Sequence, residues 1–96
     1  MTRPTNHEWL MSIAHVVAQR ATCSRRQVGA VLVRDGRILG QGYNGAPPGE
    51  KHCIDVGCAM EAGHCIRSLH AEENLIAHCA AYGIATHGAT VVTTVR

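Results

Sequence analysis

Apolar residues recur at helical spacing near the start of the chain, at Trp9, Leu10, Ile13, Val16 and Val17. This pattern predicts an amphipathic helix that ends near Gln19 or Arg20. The segment Thr5-Asn6-His7-Glu8 just before it has the form of a capping box, which marks a helix start. We interpret this element as a packing helix and its two histidines, His7 and His15, as ordinary surface residues.

Two segments with strand character follow a polar connection. Val28 to Val33 is a short apolar run that contains three valines, and Ile38 to Tyr43 follows it closely. Asp35-Gly36 lies between them and is a strong signal for a hairpin turn. The sequence therefore predicts a helix followed by a β-hairpin.

The last third of the chain again alternates between helix and strand character. A second helix is predicted from near His70 to about Tyr82, with Gly83 as its C-cap. Thr90 to Val95 is rich in β-branched residues and predicts a further strand. The order helix, strand, strand, loop, helix, strand implies a small α/β sandwich.

Between these parts, from Gly49 to Leu69, the hydrophobic and polar positions show no clear helical or strand period. A loop of roughly this length inside a compact domain is unusual, and such loops are commonly functional or tied by a metal. This one is rich in metal-ligating residue types, namely His52, Cys53, Cys58, His64 and Cys65.

Composition narrows the function classes. The 96 residues are enough for one small domain, and 46% hydrophobic content fits a globular protein. With a net charge of +2, scattered charges and few aromatics, no nucleic-acid surface is indicated. No apolar stretch is long enough to span a membrane and no signal peptide is visible, so we expect a cytoplasmic location. Five cysteines, an odd number, favour free thiols or metal ligands over a disulfide framework.

The start of the second helix carries the clearest candidate chemistry. His70 and Glu72 stand two residues apart, a spacing that can serve metal-assisted hydrolysis. The imidazole would bind zinc, while the carboxylate would stay off the metal and move protons. The alternative is a polar helix start, at which acidic residues favour the helix dipole.

Several segments together resemble the zinc-dependent deoxycytidylate (dCMP) deaminases of the cytidine deaminase superfamily. They match in order: Cys23-x-Arg25-x-x-Val28-Gly29-Ala30-Val31, Gly42-Tyr43-Asn44-Gly45-Ala46-Pro47, Gly63-His64-Cys65-Ile66-Arg67, His70-Ala71-Glu72-Glu73-Asn74 and Gly88-Ala89-Thr90. The Tyr-Asn-Gly segment favours a deoxycytidylate enzyme over the tRNA adenosine deaminase branch. The resemblance implies a cytidine deaminase-like three-layer α/β/α sandwich with a mixed sheet, of which this chain supplies about three strands and two helices.

One part of the family pattern is missing. In the family, P-C-x-x-C follows the strand that Thr90 to Val95 resembles, and its two cysteines complete the zinc site. This sequence ends at Arg96, before that motif would begin. We therefore expect residues 1–96 to be a single deaminase-like domain truncated at its C-terminus, as a fragment, a truncated product or half of a split protein.

The resemblance also assigns roles to individual residues. It implies that His70 is a zinc ligand and Glu72 the catalytic proton shuttle in hydrolytic deamination of dCMP to dUMP and ammonia. It implies that Asn44 contacts the sugar, although a turn role beside Gly45 is the alternative. Arg25 resembles the arginine that meets the nucleotide phosphate, with Arg26 as a competing candidate. His64 would add a second phosphate or sugar contact.

The cysteines suggest a second, structural zinc, which some family members hold near this loop. The candidate ligands are Cys23, Cys53, Cys58, His64 and Cys65, and the alternative is free thiols packed against the sheet. The resemblance further implies a homo-oligomer, often a hexamer, and in some members a response to dCTP and dTTP.

Two other functions stay open at this point. One is a catalytically inactive nucleotide-binding or regulatory chain, with at most a structural zinc. The other is a small structural zinc module that has lost the older site. Without a second chain to supply the missing cysteines, we do not expect appreciable turnover from these 96 residues.

Overall fold

The structure is a computed structural model that describes residues 2–22, 26–45, 55, 60–61, 64–65 and 70–94. Two helices, α1 and α2, and five strands, β1 to β5, lie in this part of the chain. Their bounds in chain order are α1 Asn6–Ala18, β1 Gly29–Arg34, β2 Arg37–Tyr43, β3 Met60–Glu61, β4 His64–Cys65, α2 Ala71–Ala81 and β5 Thr90–Thr93. No helix among these residues is long and apolar enough to cross a membrane.

Helix α1 begins with the predicted capping box. The Thr5 hydroxyl accepts a hydrogen bond from the Glu8 backbone N–H at 3.1 Å, and the Thr5 N–H donates to Glu8 Oε1 at 2.9 Å. These two bonds satisfy donors that a helix start otherwise leaves unpaired. The helix ends at Ala18, slightly earlier than predicted.

The main sheet has the order β2-β1-β5, and both of its pairings are antiparallel. The predicted hairpin between β1 and β2 is confirmed, with φ of 53° at Asp35 and 75° at Gly36. Positive φ at both central residues is what a two-residue type I′ turn requires, and Asp and Gly are suited to it. No parallel pairing occurs among the described strands, so the mixed sheet stays a prediction for the rest of the fold.

The two helices cover opposite faces of this sheet, which confirms the three-layer arrangement. A Cβ at Gly29 would overlap the Ala14 carbonyl and lie 2.6 Å from the Ala18 nitrogen, both in α1. A Cβ at Gly42 would lie 2.6 Å from the Ala71 oxygen and 2.7 Å from the Leu75 nitrogen, both in α2. Glycine therefore allows each helix backbone to approach the sheet more closely than any other residue would.

The core on the α2 side is small and fully apolar. It consists of buried residues from β1 and its approach together with one stripe of α2, namely Val28, Ala30, Leu32, Ala71, Leu75 and Cys79. The Cys79 thiol is completely buried, and it packs there as a small apolar group.

The long segment without a visible period contains two short strands, which corrects the expectation of a continuous loop. β3 pairs with β4 in an antiparallel ladder in which Met60 faces Cys65 and Glu61 faces His64. Each strand has only two residues. A period of two cannot show in so short a run, because alternation needs about four residues to be visible.

Candidate active site at the start of helix α2

The start of α2 lies at the edge of the sheet where β2 and β5 end. Ala30, near the start of β1, pairs with Gly42 on one side and with Thr93 on the other. Gly42 in turn touches the first turn of α2 through Ala71. Antiparallel pairing thus brings His70, Glu72 and the segment after β2 to one place.

The two adjacent glutamates have different environments. Glu73 Oε1 accepts a hydrogen bond from the His70 backbone N–H at 3.0 Å, so this side chain is used at the helix start. Glu72 is half-buried, and its Oε1 lies 3.5 Å from the Thr93 hydroxyl at the end of β5. The carboxylate of Glu72 therefore lies at the end of β5, two residues along the chain from His70.

His70 is exposed and occupies the N-cap position with extended backbone, φ −67° and ψ 155°. An imidazole exposed at a helix start can offer a ring nitrogen to a metal ion. Within the described ranges, no three His, Cys, Asp or Glu side chains come together in a way that could hold a metal. His70 thus fits zinc as one ligand, and its metal role stays a prediction.

Asn44 is buried, with 7% of its surface exposed, and its side-chain amide is engaged at both ends. The Val28 N–H donates to Asn44 Oδ1 at 2.7 Å, and Asn44 Nδ2 donates to the Arg26 carbonyl at 2.6 Å. Its backbone also accepts from the Thr22 N–H and donates to the Val28 carbonyl. These bonds give Asn44 a structural role, and its predicted contact with a substrate sugar stays a prediction.

The structure adds Asn74, to which the sequence analysis assigns no role. Its Nδ2 donates to the Tyr43 carbonyl at 2.8 Å and to the Gly45 carbonyl at 3.2 Å. These two carbonyls flank Asn44. Asn74 lies inside the segment His70-Ala71-Glu72-Glu73-Asn74 that carries the family resemblance, but its partners are 29 and 31 residues away and have no local signal.

The other predicted site residues fall wholly or partly outside the description. Cys23, Arg25, Cys53 and Cys58 lie outside the described residues, and of His64 and Cys65 only the backbone in β4 is described. Arg26, the competitor of Arg25, is exposed. The phosphate contacts and the structural zinc therefore stay predictions.

A cavity of about 390 Å³ lies at the opposite end of the sheet from His70. It is lined by the start of α1, the turn between β1 and β2 and the start of β5, including His7, Trp9, Arg34, Asp35 and Thr90. It is therefore separate from the candidate site.

A histidine that can bind a metal and a half-buried glutamate that can carry a proton lie together at the start of α2, and this combination can serve metal-assisted hydrolysis. The model of the cytidine and deoxycytidylate deaminase zinc-binding region matches residues 4–96. The chain belongs to this family, which confirms the resemblance found in the sequence.

Relatives and solved structures agree with this membership. ComE operon protein 2 of Bacillus subtilis is 44% identical over 94 residues, which are 98% of this chain and 50% of that protein. Deoxycytidylate deaminase of Mycobacterium phage D29 is 37% identical over 91 residues, covering 82% of this chain and 70% of that protein. The crystal structure of dCMP deaminase from cyanophage S-TIM5 in complex with dCMP and dUMP superposes with a TM-score of 0.79 at 32% identity. That match covers 98% of this chain and 68% of the phage chain.

The cytidine deaminase-like fold is thereby confirmed. The chain spans about half the length of its Bacillus relative.

Proposed function

We propose that this chain contributes to the active site of a zinc-dependent deaminase that converts dCMP to dUMP and ammonia. Family membership supports deamination of a cytosine nucleotide, and several relatives are deoxycytidylate deaminases, which supports dCMP as the substrate. The observation that supports the proposal for this chain is that two neighbouring glutamates, Glu72 and Glu73, have different hydrogen-bond partners. Glu73 closes the helix start, and Glu72 is left facing the sheet edge beside His70.

His70 would hold the zinc ion as one of its protein ligands. Imidazole nitrogen suits zinc, and a catalytic zinc site has about three protein ligands and one open position. When bound, zinc supplies a Lewis acid that makes water a competent nucleophile near neutral pH. The hydrogen bond from the His70 backbone N–H to the Glu73 carboxylate holds the main chain of His70 at the start of α2, from which the imidazole would reach the metal.

Glu72 would carry the protons of the reaction. Water adds through its oxygen to carbon 4 of the cytosine ring, and Glu72 accepts a proton from it. Glu72 then delivers that proton to ring nitrogen 3. The bond from carbon 4 to the exocyclic nitrogen breaks, and this nitrogen leaves as ammonia with the second water proton. A carboxylate in this position contributes roughly a hundred- to ten-thousand-fold to the rate.

Asn44, Arg25 and His64 would hold the nucleotide, with Arg25 at the phosphate and Asn44 near the sugar. An arginine fork suits a phosphate because it gives paired, charge-assisted hydrogen bonds. The single-domain organisation of residues 1–96, a homo-oligomeric assembly, a structural zinc in the cysteine-rich segment and a cytoplasmic location remain parts of this proposal.

The test compares two isosteric changes in adjacent residues of the full-length, zinc-supplied protein. Formation of dUMP from dCMP is measured by chromatography for the wild type, Glu72→Gln and Glu73→Gln. We expect Glu72→Gln to lower kcat by at least about a hundredfold. Glu73→Gln should keep most activity, because a glutamine oxygen still accepts the hydrogen bond from His70.

Two results would contradict the proposal. A wild-type protein with intact zinc that binds dCMP without turnover would favour the regulatory nucleotide-binding alternative. Full activity in Glu72→Gln would show that another group carries the proton.

A further inference from the structure

The side-chain amide of Asn74 joins helix α2 to the end of β2. Asn74 donates two hydrogen bonds, to the Tyr43 carbonyl at 2.8 Å and to the Gly45 carbonyl at 3.2 Å. An amide NH₂ has two donors, so this one group can satisfy both carbonyls. The residue between those carbonyls is Asn44.

Asn44 extends the connection to the segments on either side of residues 23–25. It accepts from the Thr22 N–H through its carbonyl and from the Val28 N–H through Oδ1, and it donates from Nδ2 to the Arg26 carbonyl. Hydrogen bonds that connect in this way hold several backbone segments in one geometry. The start of α2 is therefore linked through two asparagines to residues 22 and 26–28.

The close packing at Gly42 gives this link little room to adjust. The Gly42 backbone lies against Ala71 and Leu75 so closely that a Cβ would come within 2.8 Å of three atoms of α2. A change at Asn74 therefore cannot be offset by a closer approach of the helix to β2. The segment after β2 would shift instead.

We propose that Asn74 is a positioning residue that fixes the Tyr43–Gly45 segment, and with it Asn44, relative to His70 and Glu72. This inference rests on the proposed function, in which Asn44 and its neighbours hold the nucleotide. Asn74 acts on substrate binding through Asn44 and does not touch the substrate. His70 and Glu72 keep their places without it, because Glu73 closes the helix start independently.

The kinetic test uses the full-length, zinc-loaded protein with Asn74→Asp and Asn74→Ala. Aspartate has the shape of asparagine but no N–H donor, and it directs oxygen at two carbonyls. We expect the KM for dCMP to rise roughly tenfold, the order expected when bonds that position a binding segment are lost. We expect kcat to change by less than about threefold, because the reacting groups stay in place.

Cys79→Ala is the matched control for a purely structural effect. Cys79 lies in the same helix and is fully buried, and its sulfur faces Gly40 at the other end of the contact with β2. This variant should lower Tm and leave KM unchanged. A KM for Asn74→Ala equal to that of Cys79→Ala would overturn the inference.

A second measurement does not depend on turnover. Amide hydrogen exchange is measured for Thr22 and Val28, whose N–H groups donate to Asn44. We expect faster exchange at both amides in Asn74→Asp and Asn74→Ala, by more than the fall in global stability accounts for, and not in Cys79→Ala. A higher KM with unchanged exchange would mean that Asn74 contacts the substrate directly.

The two proposals can fail separately. If the wild-type protein does not deaminate dCMP but the Asn74 variants lose protection at Thr22 and Val28, the proposed function fails and the positioning role stands. If the wild type is active and the variants keep both KM and exchange, the positioning role fails. If Asn74→Asp does not fold, Asn74→Ala, which adds no charge, gives the same measurements.

Discussion

The Glu73 carboxylate accepts a hydrogen bond from the His70 backbone N–H at 3.0 Å, three residues back along the chain. This hydrogen bond holds the backbone of His70, the residue that would bind the metal. It also occupies the carboxylate of Glu73, the second of two adjacent glutamates. Glu72 is thereby left facing Thr93 at the end of β5. A stretch of five residues thus contains a structural acid and a candidate catalytic acid side by side.

Replacing Glu73 by alanine should weaken the start of α2. The His70 N–H loses its acceptor, and we expect a loss of about 1 kcal/mol in the free energy of unfolding. Glu73→Gln retains an acceptor and should cost less than half as much. Urea unfolding followed by circular dichroism measures both. Equal losses for the two variants would indicate that the negative charge matters and not the hydrogen bond.

Alanine at Gly42 should separate α2 from the sheet and impair the candidate site. The new Cβ would meet backbone atoms of Ala71 and Leu75, which cannot move without the helix. Overpacking of this kind costs about 1 to 3 kcal/mol. Gly29→Ala is the control, because it meets α1 on the opposite face.

Both variants should lose stability in urea, but only Gly42→Ala should lose specific activity under conditions in which both are folded. Equal specific activities would show that the position of α2 is not critical for catalysis.

Removal of the Asn44 side-chain amide should lower the free energy of unfolding by more than the loss of an exposed polar side chain does. Asn44→Ala leaves the buried Val28 N–H and the Arg26 carbonyl without these partners. The Val28 N–H is the buried group of the two, and leaving it unsatisfied costs about 1 to 3 kcal/mol. Asn44→Asp keeps an acceptor for Val28 but directs a carboxylate oxygen at the Arg26 carbonyl in a buried position, so it should also destabilise the fold. Chemical denaturation measures the difference, and a loss below about 0.5 kcal/mol in Asn44→Ala would contradict the burial argument.

The capping box of α1 should make stability depend on pH in the acid range. Hydrogen bonds from the Thr5 backbone and side chain lower the pKa of Glu8 from its ordinary value of 4.5. A lowered folded-state pKa means that the ionised form stabilises the fold above 4.5, and this contribution is lost as the pH falls through the folded value.

The stability of Glu8→Gln should therefore depend less on pH in the acid range than the stability of the wild type, because glutamine does not titrate. The difference in free energy of unfolding between wild type and Glu8→Gln should shrink as the pH falls below 4.5. A constant difference between pH 7 and pH 3 would show that the Glu8 charge does not contribute.

Zinc content should depend on His70. In the full-length protein, metal analysis after dialysis should show a loss of one zinc ion per chain in His70→Ala. His78→Ala is the control, because His78 is exposed on the same helix and stacks on Tyr82 with ring centroids 4.7 Å apart. Unchanged zinc in His70→Ala would place the metal elsewhere, for example in the cysteine-rich segment.

The sequence by itself determined the local elements. The helical period and the Thr5–Glu8 capping box placed α1, and Asp35-Gly36 placed the hairpin, because these signals lie within short continuous segments of the chain. The spacing of His70 and Glu72 at the start of the second helix pointed to both residues, since the motif is contiguous, and the resemblance then implied their roles. The sequence did not predict β3 and β4, which are too short to show a period.

The tertiary structure decided how the pieces act together. It brought Asn74 to carbonyls 29 and 31 residues away, filled both ends of the Asn44 amide and set Gly29 and Gly42 against opposite helices. It also gave Glu72 and Glu73, which the sequence shows only as neighbours, different partners: Glu72 lies against Thr93, and Glu73 against the backbone of His70. Contacts of this kind depend on which faces and strand ends meet after folding, and the pattern of residues along the chain does not specify those distances.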